Sequence, residues 1–108
     1  MKTVFITSAV RTPVASFQGG FADMTAPRLG AIVIKEALVR SKVSPEKVSE
    51  VIMGQVLTAG VGQAPARQAA IYAGIPTSAP CLTIGKVCGS GLKAVMLGAN
   101  SIALGESE

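Results

Sequence analysis

Apolar extended runs alternate with helix patterns along this 108-residue chain, and this alternation restricts the possible folds more than any other feature. Short β-branched and apolar runs predict buried strands over residues 3–9, 48–57 and 81–87. Helical periodicity and end signals predict helices over residues 27–39, 65–73 and 89–104. The order β-α-β-α-β-α predicts an α/β fold in which right-handed crossovers build a parallel sheet covered by helices.

Residues with known end preferences mark where the first two helices begin and end. Thr25 is a predicted N-cap, and Pro27 follows in the first turn, where a missing N–H breaks no hydrogen bond. Pro65 opens the second helix in the same way, and Gly74 and Pro76 end it. These signals support the alternation independently of the apolar pattern.

Composition excludes several functional classes. Apolar residues make up 49% and charged residues 15% of the chain, against about 25% charged in a typical domain, so the chain is not predicted to be disordered. The net charge of +4 comes from scattered residues and the chain has few aromatics, so we predict no nucleic-acid surface. The longest charge-free stretch, residues 68–85, contains Gly74 and two prolines, so we predict no membrane span or signal peptide and a cytoplasmic location.

Two cysteines and no histidine limit the possible metal chemistry. Cys81 and Cys88 stand seven residues apart, a spacing that matches no zinc motif. We therefore predict no metal site. Cys81 lies within an apolar strand pattern, so we interpret it as a core residue.

Cys88 lies where the third predicted strand meets the third predicted helix, and a Gly-Ser-Gly follows it. The first N–H groups of a helix have no intrahelical partner and stabilise a thiolate or a developing oxyanion. Gly89 and Gly91 leave room for a substrate carbonyl to approach the sulfur. This setting favours a nucleophile that carries an acyl group as a thioester. A buried core cysteine followed by glycines that only permit close packing stays an alternative; a phosphate loop fits less well, because GxxxxGK[ST] is lacking.

Three stretches resemble the thiolase family, in the same order and at similar separations. They are SAVRTPVASFQGG at residues 8–20, VIMGQVLTAGVGQAPARQAAIYAGIP at residues 51–76 and TIGKVCGSGLKAV at residues 83–95. The second and third look most like the acetyl-CoA acetyltransferases within that family. The likeness covers essentially the whole chain.

The resemblance implies a fold, a reaction and a site. It implies part of an α-β-α-β-α layered domain, with Cys88 as the residue that acetyl-CoA acylates and with its own N–H in an oxyanion hole. Coenzyme A thioesters would be the substrates, without a prosthetic group, and the protein would be a homodimer or homotetramer. The region from Gln63 to Ala70 would be the helix packed at the dimer interface, with Arg67 structural rather than catalytic.

The chain departs from the family pattern in two ways. Gly85 stands where members usually carry asparagine, and the later Asn-Glu-Ala-Phe, Gly-His-Pro and second-cysteine motifs are not among residues 1–108. We therefore expect residues 1–108 to be the N-terminal part of a thiolase-type domain, without the later strands, the loop domain and the base-bearing half. The alternatives are a non-catalytic truncated partner subunit, a thiolase for longer 3-ketoacyl chains, and a condensing enzyme of the ketoacyl synthase type.

Overall fold

A computed structural model describes all of residues 1–108 as three helices against a two-stranded parallel sheet. The elements in chain order are α1 (Ala26–Ser41), a 3₁₀ turn (Pro45–Lys47), β1 (Val51–Gly54), α2 (Pro65–Ala73), β2 (Cys81–Ile84) and α3 (Ser90–Leu104). All three predicted helices form, within one to two residues of the expected ends. The second and third predicted strands also form but are shorter, four residues each.

The sheet is a parallel pair in which α2 crosses from the end of β1 to the start of β2. Its register runs from Val51 opposite Cys81 to Gly54 opposite Ile84. The carboxyl ends of both strands therefore lie at one edge, and β2 leads from that edge into α3. A parallel pair flanked by helices confirms the α/β class.

The core lies where α1 and α2 pack on β1, and it is built mainly of small side chains. The buried cluster consists of Ala31, Val51, Ala70, Ala73, Ile75 and Ala79. A Cβ on Gly30 would lie 3.1 Å from the Ala69 Cβ and 3.3 Å from the Met53 Cε. Small residues on both helices thus let them approach closely, which explains the glycine on α1.

The predicted helix ends are confirmed. Thr25 has extended backbone and its Oγ1 accepts a hydrogen bond from the Arg28 N–H at 3.4 Å. Gly74 ends α2 in the left-handed conformation at φ +87°, and its N–H bonds the carbonyls of the last turn. Both are ordinary capping arrangements, which is why the sequence predicts them.

The predicted first strand, residues 3–9, is wrong, because this segment joins no hydrogen-bonded ladder. It is held instead by side chains: the Ser8 Oγ donates to the Ala37 carbonyl at 3.1 Å, and the Thr7 Oγ1 donates to the Ser41 Oγ at 3.0 Å. A cleft of about 740 Å³ is lined by residues of this segment together with α1, β1 and α3. An extended apolar run forms a strand only beside a partner strand, and no strand lies next to this one.

The third helix is the most apolar of the three helices and is poorly covered. Its predicted buried face includes Leu92, Val95 and Met96, and these side chains are half or more exposed. The segment Val87–Leu104 is long and apolar enough to cross a membrane by length and composition. One such helix is weak evidence for a span, because the core helix of a soluble protein meets the same test.

Candidate active site

Cys88 lies in the five-residue connection, residues 85–89, between β2 and α3. Its side chain is exposed, at the sheet edge where open α/β folds bind ligands. The residue before it, Val87, adopts the left-handed conformation at φ +47°. That conformation is rare for a β-branched residue, and such outliers concentrate at functional sites.

The Ser90 hydroxyl fixes this connection. It accepts a hydrogen bond from the Lys86 N–H and donates one to the Val87 carbonyl, each at 2.7 Å. Two backbone bonds run alongside, from the Gly89 N–H to the Lys86 carbonyl and from the Ser90 N–H to the Val87 carbonyl. The backbone on both sides of Cys88 is therefore tied into one tight turn.

The amino end of α3 is open. Its N-cap residue, Gly89, provides no side-chain cap. No hydrogen bond in the structure is donated by the backbone N–H of Cys88, Gly91 or Leu92. The N–H groups of Gly91 and Leu92 lie in the first turn of α3 and carry the positive end of the helix dipole, so they favour negative charge at this helix end.

Gly54, the last residue of β1, sets the position of the first turn of α3. A Cβ at Gly54 would lie 2.4 Å from the Ser90 carbonyl carbon and 2.6 Å from the Gly91 nitrogen, closer than any real contact. The strand backbone therefore packs directly against the helix backbone. This contact places the open helix end at the carboxyl edge of the sheet.

The structure separates the two cysteines. Cys81 begins β2, whereas Cys88 follows its other end. Cys81 is half-buried, packs against the core cluster, and directs its Sγ to the Ala79 carbonyl at 3.5 Å. This agrees with its interpretation as a core residue.

Gly89 and Gly91 follow Cys88 at the start of α3. A Cβ on Gly89 would come no closer than 3.4 Å to another atom, the Lys86 carbonyl oxygen. A Cβ on Gly91 would meet no atom within 4 Å, so that face of the helix end is open. At Gly85, in place of the family's usual asparagine, the only atom near a Cβ would be the Gln55 carbonyl oxygen at 3.8 Å. The position is open and would accept a larger side chain.

Three features of the site escaped sequence reasoning: the buried Ser90, the strained Val87 and the close approach of Gly54. The signal for Ser90 was the serine inside the Gly-Ser-Gly, which we had considered only for its glycines. The signal for Gly54 was a glycine at the end of a strand pattern, which often marks a close backbone approach. Val87 carried no signal, because a valine predicts extended backbone.

Arg67 lies on α2, the helix between the two strands, rather than at the start of α3. Its guanidinium donates to the carbonyls of Thr77 and Ala79, at 3.1 and 3.3 Å. These bonds hold the segment between α2 and β2 against the helix, which supports a structural role for Arg67.

Comparison with known proteins agrees with this geometry. Residues 4–108 match the family described as thiolase, N-terminal domain. An acetyl-CoA acetyltransferase of Cupriavidus necator is 65% identical over 108 residues, which are all of this chain and 28% of that protein. The cytosolic acetyl-CoA acetyltransferase of Rattus norvegicus is 57% identical over 104 residues, 96% of this chain and 26% of that protein.

A solved structure extends the likeness to the fold. A thiolase from Ascaris suum in complex with coenzyme A superposes with a TM-score of 0.94 at 48% identity, over 96% of this chain and 27% of that one. The thiolase-like fold is therefore confirmed. The chain spans about a quarter of the length of the relatives it matches. By its sequence and its fold, this chain belongs to the thiolase family, in the part that forms the N-terminal domain.

Proposed function

We propose that the protein carrying this chain condenses two molecules of acetyl-CoA to acetoacetyl-CoA and CoA, or runs the reverse thiolysis, through an acetyl thioester on Cys88. One observation supports this most directly: the exposed Cys88 comes one residue before the N-cap of a helix that has no side-chain cap, and its own N–H donates no hydrogen bond. The relatives named acetyl-CoA acetyltransferase support the choice of acyl group. The coenzyme A complex of the Ascaris suum thiolase supports coenzyme A thioesters as substrates.

The first half of the reaction forms the acyl-enzyme. The Cys88 sulfur gives up its proton and attacks the carbonyl carbon of acetyl-CoA, and a tetrahedral oxyanion forms. The unpaired N–H of Cys88 and those in the first turn of α3 are the groups we propose to stabilise this oxyanion. The bond to the CoA sulfur then breaks, the CoA thiolate takes up a proton, and acetyl-Cys88 remains.

The second half forms the carbon–carbon bond. A base removes a proton from the methyl carbon of a second acetyl-CoA, and the carbanion attacks the carbonyl carbon of acetyl-Cys88. The Cys88 S–C bond breaks, which releases acetoacetyl-CoA and restores the thiolate. Residues 1–108 contain no histidine, and we assign the base to another part of the protein.

The proposed context follows from the same family. We propose that residues 1–108 form the N-terminal part of a thiolase-type domain and that the intact protein is a homodimer or homotetramer. A cytoplasmic location is also a proposal, because the relatives include cytosolic proteins from mammals and a mitochondrial one from Gibberella zeae. No prosthetic group is needed for the steps described.

The test is acetyl transfer from isotopically labelled acetyl-CoA to the intact protein, with the acetylated residue located by peptide mass spectrometry. We expect the label on Cys88 and its loss, together with acetoacetyl-CoA formation, in Cys88→Ala. The matched control is Cys81→Ala, which removes the half-buried cysteine and should keep both label and activity. Label on another residue, or full activity in Cys88→Ala, would rule out this function.

A further inference from the structure

Ser90 is the single buried polar side chain in the molecule, 3% exposed at the first residue of α3. Serine caps a helix from the N-cap position, but Gly89 holds that position here and Ser90 is the first helical residue. This hydroxyl instead bonds backward, to the Lys86 N–H and the Val87 carbonyl at 2.7 Å each. It therefore contributes to the turn before the helix rather than to the helix.

We propose that Ser90 is a positioning residue that holds Cys88 in its reactive orientation by clamping the turn before it. This inference rests on the proposed function only in naming Cys88 as the reacting group. Ser90 acts on the Cys88 side chain through the backbone, because its two hydrogen bonds end on Lys86 and Val87, the two residues before Cys88.

The strained conformation of Val87 explains why a clamp is needed. A β-branched residue at φ +47° persists only where its surroundings fix it. Two backbone bonds cross the turn as well, but they remain possible in ordinary turns that keep φ negative. The Ser90 hydroxyl fixes the N–H of Lys86 on one side of Val87 and the carbonyl of Val87 on the other. If Val87 relaxed to negative φ, the direction of the Cys88 side chain relative to the helix end would change.

The sheet prevents the turn from shifting as a rigid unit. The space beside Gly54 that a Cβ would occupy is already filled by the Ser90 carbonyl group and the Gly91 nitrogen. The first turn of α3 is thus fixed from behind by β1, whereas Val87 and Cys88 lie on the exposed side. The Ser90 hydroxyl restrains that side.

The experiment measures the rate at which iodoacetamide alkylates each cysteine of the intact protein, by peptide mass spectrometry. Loss of the clamp in Ser90→Ala should slow alkylation of Cys88 about tenfold, since the free energy that a hydrogen bond of this kind contributes corresponds to roughly a factor of ten in a rate. Cys81 is the internal reference: general loosening of the fold would expose this half-buried thiol and speed its alkylation. A positioning role changes Cys88 and leaves Cys81 at its wild-type rate.

Three further variants make the result specific. Ser90→Thr keeps the hydroxyl and should restore much of the Cys88 rate. Ser101→Ala removes another serine hydroxyl of α3, whose one bond is to the Ser107 Oγ at 2.8 Å, and should leave Cys88 unchanged. Val87→Asn introduces a residue that tolerates positive φ, so in that background Ser90→Ala should have a smaller effect.

The possible outcomes separate the two proposals. A wild-type Cys88 rate in Ser90→Ala overturns the clamp, and so does a slowed rate that Ser101→Ala reproduces. If Ser90→Ala fails to fold, a Cys88 rate in Ser90→Thr about tenfold below the wild-type rate, with Cys81 unchanged, overturns the clamp instead, because the hydroxyl is still present. If acetyl-CoA does not label Cys88 in the wild type while Ser90→Ala still slows alkylation, the proposed function fails and the clamp stands.

Discussion

The two connections that lead from a strand into a helix have the same topology, but one ends in a buried helix start and the other in an exposed one. The connection from β1 to α2 spans residues 55–64 and ends in a buried helix start, with Ala66 1% exposed. The backbone N–H of Ala66, in the first turn of α2, donates a hydrogen bond to the Thr83 Oγ1 at 2.9 Å. The Gln68 side chain adds bonds to the carbonyls of Val61 and Gln63, at 2.7 and 2.8 Å.

The connection from β2 to α3 leaves its helix start open. Val87 is 69% exposed, and the N–H groups of Cys88 and Gly91 donate no hydrogen bond. The one hydroxyl available, on Ser90, bonds backward instead of capping the helix. A closed start stabilises the fold, whereas an open start leaves its donors free, as the proposed acyl transfer at Cys88 requires.

The largest expected effect comes from Gly54→Ala, which acts on the contact that places the open start. Its Cβ would overlap backbone atoms of Ser90 and Gly91, so strand and helix must separate. We expect a loss of about 3 kcal/mol in the free energy of unfolding, measured by urea denaturation of the intact protein, together with slower Cys88 alkylation.

The control for that prediction is Gly20→Ala, where a Cβ would meet nothing within 4 Å. It should change the free energy of unfolding by no more than about 0.5 kcal/mol. A Gly54→Ala protein as stable as the wild type would show that the two backbones are not in fixed contact.

Arg67→Met should have the next largest effect, since it removes two charge-assisted hydrogen bonds between α2 and the segment before β2. The carbonyls of Thr77 and Ala79 lose their partner, and we expect unfolding to become easier by about 2 kcal/mol. Arg40→Met is the matched control: its guanidinium makes only an exposed pair with Glu36, which contributes about 0.5 kcal/mol or less. Equal losses in both variants would contradict the structural role of Arg67.

Thr83→Val tests whether the two helix starts are independent. The substitution keeps the shape of the side chain and removes the acceptor of the Ala66 N–H, for an expected loss of about 1 kcal/mol. Thr77→Val, at an exposed position whose side chain makes no hydrogen bond, should be neutral. Alkylation of Cys88 should keep its wild-type rate in both, and slowing in Thr83→Val alone would show that the junctions are coupled.

The helices of this molecule follow from local sequence, and so they were predictable. Thr25, Pro27 and Gly74 act on their own turns, through side-chain or backbone bonds spanning three to five residues. The placement of Cys88 at a helix start was predictable for the same reason. The first strand was not, because a strand depends on a neighbour that local sequence does not specify.

The geometry around Cys88 depends on contacts that the sequence pattern does not contain. The fit of Gly54 against Ser90 joins residues 36 positions apart, and the positive φ of Val87 opposes the usual preference of valine. A pattern of glycines and one cysteine thus predicted a site at Cys88 but could not describe the turn around it. Such local conflict between preference and conformation is what a functional site is expected to show.

The smallest predicted effect concerns the Arg28 guanidinium, which lies 3.7 Å from the centre of the Tyr72 ring and joins α1 to α2. Both side chains are exposed at the surface, so the cation–π contact should contribute only about 0.5 kcal/mol. A double-mutant cycle with Tyr72→Leu and Arg28→Met, followed by urea denaturation, isolates that coupling. A coupling near zero would leave the close packing at Gly30 and Ala69 as the main link between these helices. A coupling of 2 kcal/mol or more would mean that surface contacts stabilise the packing of α1 on α2 as well as the core contacts do.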